Sequence, residues 1–217
     1  MKIRSTLELQ DSLDQDLHWR KKEFTTLKLM ISSSRKHEKY ILQKSAIVLL
    51  YSHWEGHIKH CSLAYLNYLN NIGCCVDKMK DNFILIGLYE KFNKGFSFKR
   101  LDDLVRLNEY LSNTQKGNFK VKEDKIIDTD SNLKYPVLLN ILHQLGLDIS
   151  PYELREQFIN STLVGHRNYI AHGERLDPVV IDAAYNEIEQ ELLNMVMYFQ
   201  TLILNAVTTK EYLKSAS

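Results

Sequence analysis

The chain has 217 residues and a formal net charge of +1, with 44% hydrophobic and 25% charged residues. This composition is ordinary for a globular protein that can bury a full core. The near-zero charge excludes a global field for polyanions, so any nucleic-acid site must be a local basic patch. No apolar leader or membrane-spanning stretch is visible, and three cysteines, two of them adjacent, suit a reducing compartment, so we expect a cytoplasmic protein without membrane contact.

Two long helices are predicted in the first third of the chain. Residues 5–33 place apolar side chains at helical spacing after a candidate N-cap at Ser5 or Thr6. A second helix is predicted from 36 to about 71, ending near Gly73. Its middle, residues 46–51, is apolar on all sides, which is typical of the most buried helix of a bundle.

The middle of the chain, residues 74–149, is less regular. Helices are predicted at 81–92 and 97–111, and the second carries apolar residues spaced for burial: Leu101, Leu104, Val105, Leu107 and Leu111. Residues 119–122 alternate between apolar and basic, which predicts a short strand.

Two further features precede the last third. Residues 128–132 read as a turn because of their Asp, Asn and Ser content. Pro136 opens and Gly146 closes a short predicted helix, 137–145.

The last third predicts two more helices. Ser150 followed by proline and glutamate predicts the start of one helix, which ends at Gly173. Asp177 followed by proline predicts the start of the final helix, which runs to about residue 207. Four to five main helices with short connections favour an all-α helical bundle. We expect a single domain over 1–217, with residues 74–149 as an elaboration of the bundle.

One segment of the last third carries residues with chemical potential. Arg167 is followed at once by Asn168 and, five positions after the arginine, by His172. At about 100° per residue, Asn168 and His172 lie opposite the apolar stripe of the helix, and Arg167 lies about 140° from His172. Val164 and Ala171 lie between them, so this outward face has a small-residue patch that a second surface can approach.

The sequence Arg167-Asn168-x-x-x-His172 resembles the R-N-x-x-x-H signature of the HEPN superfamily (higher eukaryotes and prokaryotes nucleotide-binding). Residues 51–59, which include Glu55, also look like the early helix of some bacterial members. The resemblance covers roughly residues 1–70 and 150–207. It implies a small helical bundle and, as in many members, metal-independent endoribonuclease activity.

The resemblance implies roles for these residues. His172 would act as general acid or base, and Arg167 would stabilise charge on the scissile phosphate. Asn168 would orient the imidazole or contact the phosphate, and Tyr169 would contact substrate. RNA would be cleaved by its own 2′-hydroxyl, giving a 2′,3′-cyclic phosphate and a 5′-hydroxyl without metal or cofactor. Such enzymes pair two motifs in a homodimer and include toxins and antiviral (phage-defence) effectors, some restrained by an antitoxin.

Other interpretations remain open for the motif. The same three residues would also occur in a helix without catalytic function. Arg167 would then be a surface arginine, Asn168 would hydrogen-bond to His172, and the helix dipole would favour a histidine at the C-terminus. The chain would then be a non-catalytic helical module that binds RNA or a nucleotide, or docks a protein.

Glu55 is a second candidate site residue. A carboxylate on a largely buried helix is costly unless it has a partner. It either acts in catalysis or orients the motif, as the resemblance implies, or it forms an ordinary i,i+4 ion pair with Lys59.

A basic stretch and a histidine cluster complete the candidates. Lys99 and Arg100 belong to a set interleaved with phenylalanines that suits an RNA backbone or, alternatively, a solvated face over core aromatic residues: Lys91, Lys94, Lys99, Arg100 and Arg106. His53 and His57 have the i,i+4 spacing of helical zinc ligands, with His60 nearby, but no H-E-x-x-H is present. Chance clustering is the preferred interpretation, so no metal is expected.

Overall fold

A computed structural model of the protein describes residues 2–92, 95–114 and 117–214, without the side chain of Thr114. These residues form an all-α bundle with no strand, which confirms the predicted fold class. The α-helices within these residues are α1 Thr6–Ser33, α2 Lys36–Asn71, α3 Asp81–Phe92, α4 Leu101–Thr114, α5 Glu123–Ile126, α6 Tyr135–Leu145, α7 His166–Ala171 and α8 Pro178–Thr208. Short 3-10 turns lie at Val76–Lys78 and Ser150–Tyr152, and a π-helical segment, Phe158–Gly165, runs directly into α7.

Three long helices, α1, α2 and α8, pack against one another and make the centre of the bundle. Their bounds agree with the prediction to within one or two residues. Capping residues begin two of them: the side chain of Ser5 accepts from Glu8 N, and that of Asp177 accepts from Val179 N. Fully buried aromatic residues such as Trp54 and Tyr65 give α2 its central place. Leu49 on the same helix is exposed, so residues 46–51 are not buried on all sides as predicted.

The segment between α2 and the helix of residues 156–171, here called the motif helix, packs onto the bundle. Helix α3 contacts α5 and α6, and both α5 and α6 contact α2. Buried side chains from this segment, among them Phe83 and Leu138, belong to the same hydrophobic cluster as the core of the three long helices. The division into one domain with residues 74–149 as an elaboration stays a prediction.

The predicted strand at 119–122 is wrong. Phe119 and Val121 are buried and the lysines between and after them are exposed, so the alternation is real. However, Val121 N donates to Asn70 Oδ1 at 2.9 Å, and Asn70 Nδ2 donates to the carbonyl of Val121 at 2.8 Å. The amide of one α2 side chain therefore provides the hydrogen bonds that a neighbouring strand would otherwise supply.

The predicted helix start at Ser150 is also wrong. The hydroxyl of Ser150 hydrogen-bonds to Asp148, and its N–H donates to Asp148 Oδ1 at 3.0 Å. This local turn leads only into the 3-10 turn, whose Tyr152 is fully buried and donates to the Met195 carbonyl at 2.8 Å. The motif helix begins after it, near residue 156.

Helix α4 differs from its prediction in start and in burial. It begins at Leu101 rather than 97, and Leu101 and Val105 are largely exposed, at 74% and 48%. Its buried residue is instead Asp103, which pairs with Arg100 at 2.7 Å and with Arg106 at 3.4 Å. Apolar spacing predicted the helix correctly but not the face that it buries.

Within the described ranges, no helix is both long enough and apolar enough to cross a membrane.

Candidate functional site

The motif helix packs through its apolar stripe, as the spacing predicts. Phe158, Ile159 and Leu163 are buried, and the half-buried His166 donates from Nδ1 to the Thr162 carbonyl at 2.8 Å. Val164 is also buried, at 1% exposure, so the prediction that it belongs to an outward small-residue patch is wrong. The reason is the π-helical segment: its i→i+5 hydrogen bonds widen the turn, and a count of 100° per residue no longer applies.

His172 lies at the end of α7, where a fixed backbone motif holds it. Gly173 has φ +76°, its N–H donates to the Ile170 carbonyl at 3.1 Å, and Glu174 N donates to the Tyr169 carbonyl at 2.9 Å. This pair of bonds is a Schellman ending, which makes His172 the C-cap residue. The imidazole is exposed to solvent at this end of the helix.

Arg167 is held by two parts of the chain outside its own helix. Its guanidinium carbon lies 4.0 Å from the centre of the Tyr51 ring, a cation–π contact. Nη2 donates to the Ser131 carbonyl and to Asn132 Oδ1, both at 3.1 Å. Its Nε is buried and has no hydrogen-bond partner among the described residues. The arginine is therefore half-buried and fixed in direction.

Tyr51 and Glu55 lie one turn apart on α2 beneath this arginine. The hydroxyl of Tyr51 accepts from Leu133 N at 2.7 Å, and Thr129 Oγ1 donates to Glu55 Oε1 at 2.6 Å. Burial, reinforced by the Glu55 carboxylate, raises the pKa of Tyr51 to about 12, so the phenol stays neutral.

The structure gives Glu55 a hydrogen-bond partner other than Lys59. Its carboxylate bonds to Thr129, and no ion pair with Lys59 is found in the described part of the chain. The Glu55 carboxylate lies close enough to Tyr51 to raise the pKa of its phenol, and the ring of Tyr51 contacts Arg167. A role for Glu55 in orienting the motif stays a prediction.

Asn168 and Tyr169 flank His172. By helical count Asn168 lies about 40° from His172 on one side and Tyr169 about 60° on the other. Asn168 is half-buried and its carbonyl accepts from His172 N at 2.9 Å, whereas the Tyr169 side chain is 47% exposed. An amide, an imidazole and a phenol are thus presented together at the end of α7, and by the same count Arg167 lies about 140° from His172.

The structure does not connect Lys99 and Arg100 to this site. Arg100 pairs with Asp103 and hydrogen-bonds to the Gly95 carbonyl, and the N–H of Lys99 donates to Ser97. The neighbouring phenylalanines pack on one another edge to face: Phe92, Phe96 and Phe98. Lys94 lies outside the described residues.

The histidines of α2 do not converge on a metal position. His53 lies beside Arg20 and 3.0 Å from Glu23, whereas His57 Nδ1 donates to Asp16 at 2.7 Å. His60 contacts Ser12 instead. Among the described residues, no group of three or more His, Cys, Asp or Glu side chains is arranged to hold a metal ion.

Sequence reasoning missed the partners of Arg167. Tyr51 was hidden within an apolar run, and Asn132 lies 35 residues upstream of the arginine in a segment that reads as a loop. It also missed the buried pair Asp16 and Arg20, although two charged residues four apart on the apolar stripe of α1 are a visible signal of an internal ion pair.

A helical bundle that presents Arg167-Asn168-x-x-x-His172 at the end of a helix defines a HEPN domain. The model of the RiboL-PSP-HEPN family matches residues 15–207, nearly the whole described bundle, and the chain belongs to this family. This membership places it in a superfamily of nucleotide-binding and ribonuclease-like domains. No curated protein and no solved structure matches the chain.

Proposed function

We propose that this protein is a metal-independent endoribonuclease that cleaves RNA through the RNA's own 2′-hydroxyl. The observation that carries the proposal is the end of α7, where a fixed guanidinium and an exposed imidazole lie five residues apart in a chain of the HEPN type. Five residues of helix span about 7.5 Å along the axis. The side chains of Arg167 and His172 are long enough to contact one phosphodiester across this distance.

The reaction needs no group beyond these side chains and the RNA. The 2′-oxygen forms a bond to phosphorus, the bond from phosphorus to the 5′-oxygen breaks, and the products are a 2′,3′-cyclic phosphate and a 5′-hydroxyl. His172 takes the proton of the attacking hydroxyl or gives one to the leaving oxygen, since imidazole changes charge near neutral pH. Arg167 neutralises charge on the phosphoryl oxygens.

Neighbouring residues support these two. Asn168 orients the imidazole or contacts the phosphate, and Tyr169 offers an exposed ring on which a base can stack. Glu55 acts indirectly by fixing the Tyr51 ring. Lys99 and Arg100 form a separate basic surface that holds a more distant part of the RNA backbone.

A homodimer completes the site. One histidine cannot at the same moment accept the proton of the nucleophile and donate one to the leaving group, so a second His172 from another copy supplies the second role. Exposed apolar residues on both sides of the loop after α7 give the two copies a surface to bury: Tyr169, Val179 and Val180. An enzyme that cuts RNA would act in the cell as a toxin or antiviral defence effector, restrained by an antitoxin or another protein.

The test compares purified wild type with Arg167→Ala and His172→Ala on RNA in the presence of EDTA. Loss of a catalytic acid–base group or of charge stabilisation lowers cleavage by about 100-fold or more. The fold and the dimer stay intact, and the wild-type fragments end in 2′,3′-cyclic phosphates. Matched controls are Arg175→Ala and His18→Ala, both exposed residues, which keep full activity. Full cleavage by His172→Ala would sink the proposal.

One observation favours a second function, that of a non-catalytic module that binds RNA or a nucleotide, or docks a protein. Arg167 already bonds to Ser131 and Asn132 of its own chain, as a structural arginine would. On this alternative the two alanine variants leave any nuclease background unchanged and weaken complex formation instead.

A further inference from the structure

The loop formed by residues 128–133, here called the docking loop, is tied to the bundle at the motif. Thr129, 4% exposed, donates to Glu55, and the N–H of the fully buried Leu133 donates to the Tyr51 hydroxyl. Just beyond the loop, Tyr135 N donates to Asn160 Oδ1 in the π-helical segment at 2.9 Å. The loop is thus anchored to both helical elements that carry the site.

The anchors hold the docking loop in an unfavourable backbone conformation. Asp130 and Ser131 have φ +52° and +53°, the left-handed region that non-glycine residues rarely adopt. Two such residues in succession persist only where the surroundings fix them. This conformation directs the Ser131 carbonyl and the Asn132 side chain at the same nitrogen, Nη2 of Arg167.

These two acceptors are both neutral oxygens. A carboxylate in the same place would hold the guanidinium equally well, but it would cancel the positive charge that a phosphate needs. One carboxylate of the loop is engaged within the loop itself, since Asp128 Oδ1 accepts from Asp130 N at 2.9 Å. Arg167 is therefore oriented by two hydrogen bonds and one aromatic face, and no carboxylate of the described residues forms an ion pair with it.

We propose that Asn132 is a positioning residue for Arg167, so that the segment between α2 and the motif helix completes the site. The inference rests on the proposed ribonuclease function. Asn132 acts through the arginine: it restricts rotation of the guanidinium and keeps it directed at the phosphoryl oxygens. The side chain at position 132 has to be a neutral amide, because it must fix the direction of the Arg167 guanidinium without cancelling its positive charge.

The experiment uses Asn132→Ala, Asn132→Asp and, as matched control, Lys134→Ala, whose exposed side chain belongs to the residue after the loop. Asn132→Ala lowers kcat for RNA cleavage about tenfold or more with little change in KM. Asn132→Asp keeps the acceptor but adds a negative charge, and kcat stays low. If the amide only stabilised the loop, the aspartate variant would recover wild-type kcat, and the proposal would be overturned.

A second readout does not depend on activity. Phenylglyoxal modifies accessible arginines, and mass spectrometry of the peptide that contains Arg167 gives its rate of modification. We expect the rate to rise several-fold in Asn132→Ala and to stay at the wild-type level in Asn132→Asp and Lys134→Ala, with exposed Arg175 reacting equally in all proteins. Equal Arg167 rates in wild type and Asn132→Ala overturn the proposal.

The two readouts separate the two failures. A wild type that cleaves RNA alongside an Asn132→Ala variant with the same kcat overturns the role of Asn132 and leaves the ribonuclease standing. A wild type that cleaves no RNA overturns the ribonuclease, whereas faster modification of Arg167 in Asn132→Ala still supports the positioning contact.

Discussion

A buried ion pair lies between α1 and α2, away from the motif. Asp16 accepts from Arg20 Nε and from His57 Nδ1, both at 2.7 Å, and Gly56 leaves the space that the guanidinium occupies. Burial raises the pKa of Asp16, but the hydrogen bonds from His57 and Arg20 outweigh it, so the pKa lies well below its usual range. The carboxylate is thus ionised inside the bundle and fully engaged.

Replacing Asp16 with alanine leaves a guanidinium and an imidazole N–H buried without their acceptor. Removal of one partner from a buried ion pair costs about 3–5 kcal/mol, and we expect the free energy of unfolding to fall by that amount. Urea unfolding followed by circular dichroism measures it. The control Asp11→Ala, an exposed aspartate on the same helix, changes stability by about 0.5 kcal/mol at most. Equal effects of the two variants would contradict the structural role of Asp16.

The same network includes an Asp–His–Cys arrangement that resembles the site of a catalytic cysteine. His57 lies between Asp16 and Cys61, with Nε2 at 3.3 Å from the thiol sulfur. Both His57 and Cys61 are fully buried, and burial raises the pKa of the Cys61 thiol well above its usual value. A thiol that stays protonated and meets no solvent is not a nucleophile, so the cluster is structural.

At the scale of the elements, the end of the motif helix depends on one glycine. Gly173 adopts φ +76°, where an L side chain is strained, and the two bonds of the Schellman ending depend on that conformation. The backbone around His172 is therefore fixed by a residue that does not itself take part in chemistry.

Gly173→Ala is expected to lower the free energy of unfolding by about 1 kcal/mol, because alanine pays for the left-handed conformation. Asparagine tolerates this region better, so Gly173→Asn loses less. Gly165→Ala is the matched control: its backbone is right-handed and an added Cβ would meet only Asn160 O at 3.4 Å, so it is neutral or stabilising by up to about 1 kcal/mol. Thermal and urea unfolding decide the order, and a Gly173→Ala protein as stable as Gly165→Ala contradicts it.

The elements that could be predicted from sequence are those whose signals are local. Apolar spacing and caps at Ser5 and Asp177 give the long helices almost to the residue, because 3.6-residue periodicity over many turns has no competing interpretation. The failures come from distant partners. Alternation at 119–122 matches a strand, but Asn70 of α2 supplies the pairing, and nothing local reveals that.

The same contrast between local signals and distant partners explains which residues of the candidate site the sequence predicted. Arg167, Asn168 and His172 lie within six residues and share one helix end, so a motif indicates them. Tyr51 and Asn132 contact Arg167 across long sequence separations, and only the folded chain brings them together. The π-helical turn before α7 is likewise invisible to periodicity, since its residues have ordinary apolar spacing.

For the whole molecule, the buried groups set how stability varies with pH. His53 is 2% exposed and lies between the rings of Trp19 and Phe24. Burial and the nearby Arg20 guanidinium lower its pKa, and these effects outweigh the opposing carboxylates of Glu23 and Asp16. The imidazole of the folded protein therefore resists protonation at pH values where an unfolded histidine accepts a proton.

The sign of the effect follows from proton linkage. As the pH falls below about 6.5, the ordinary pKa of histidine, the unfolded chain binds a proton at His53 more readily than the folded chain does, so acidification favours unfolding. Asp16 acts in the same direction but in a lower window: its contribution is complete above about pH 4 and is lost as the pH falls below that value. The interval from pH 7 to pH 5 therefore isolates His53 from Asp16.

We expect wild type to have a lower free energy of unfolding at pH 5 than at pH 7, measured by urea denaturation at both values. His53→Gln removes the titrating group, so the difference between the two pH values becomes smaller even if the variant is less stable at each. His18→Gln, on the exposed face of α1, keeps the wild-type difference and controls for the loss of a histidine as such. If His53→Gln keeps the full wild-type difference between the two pH values, another group causes the pH dependence. Burial of the His53 imidazole would then not explain how the stability of the bundle varies with pH.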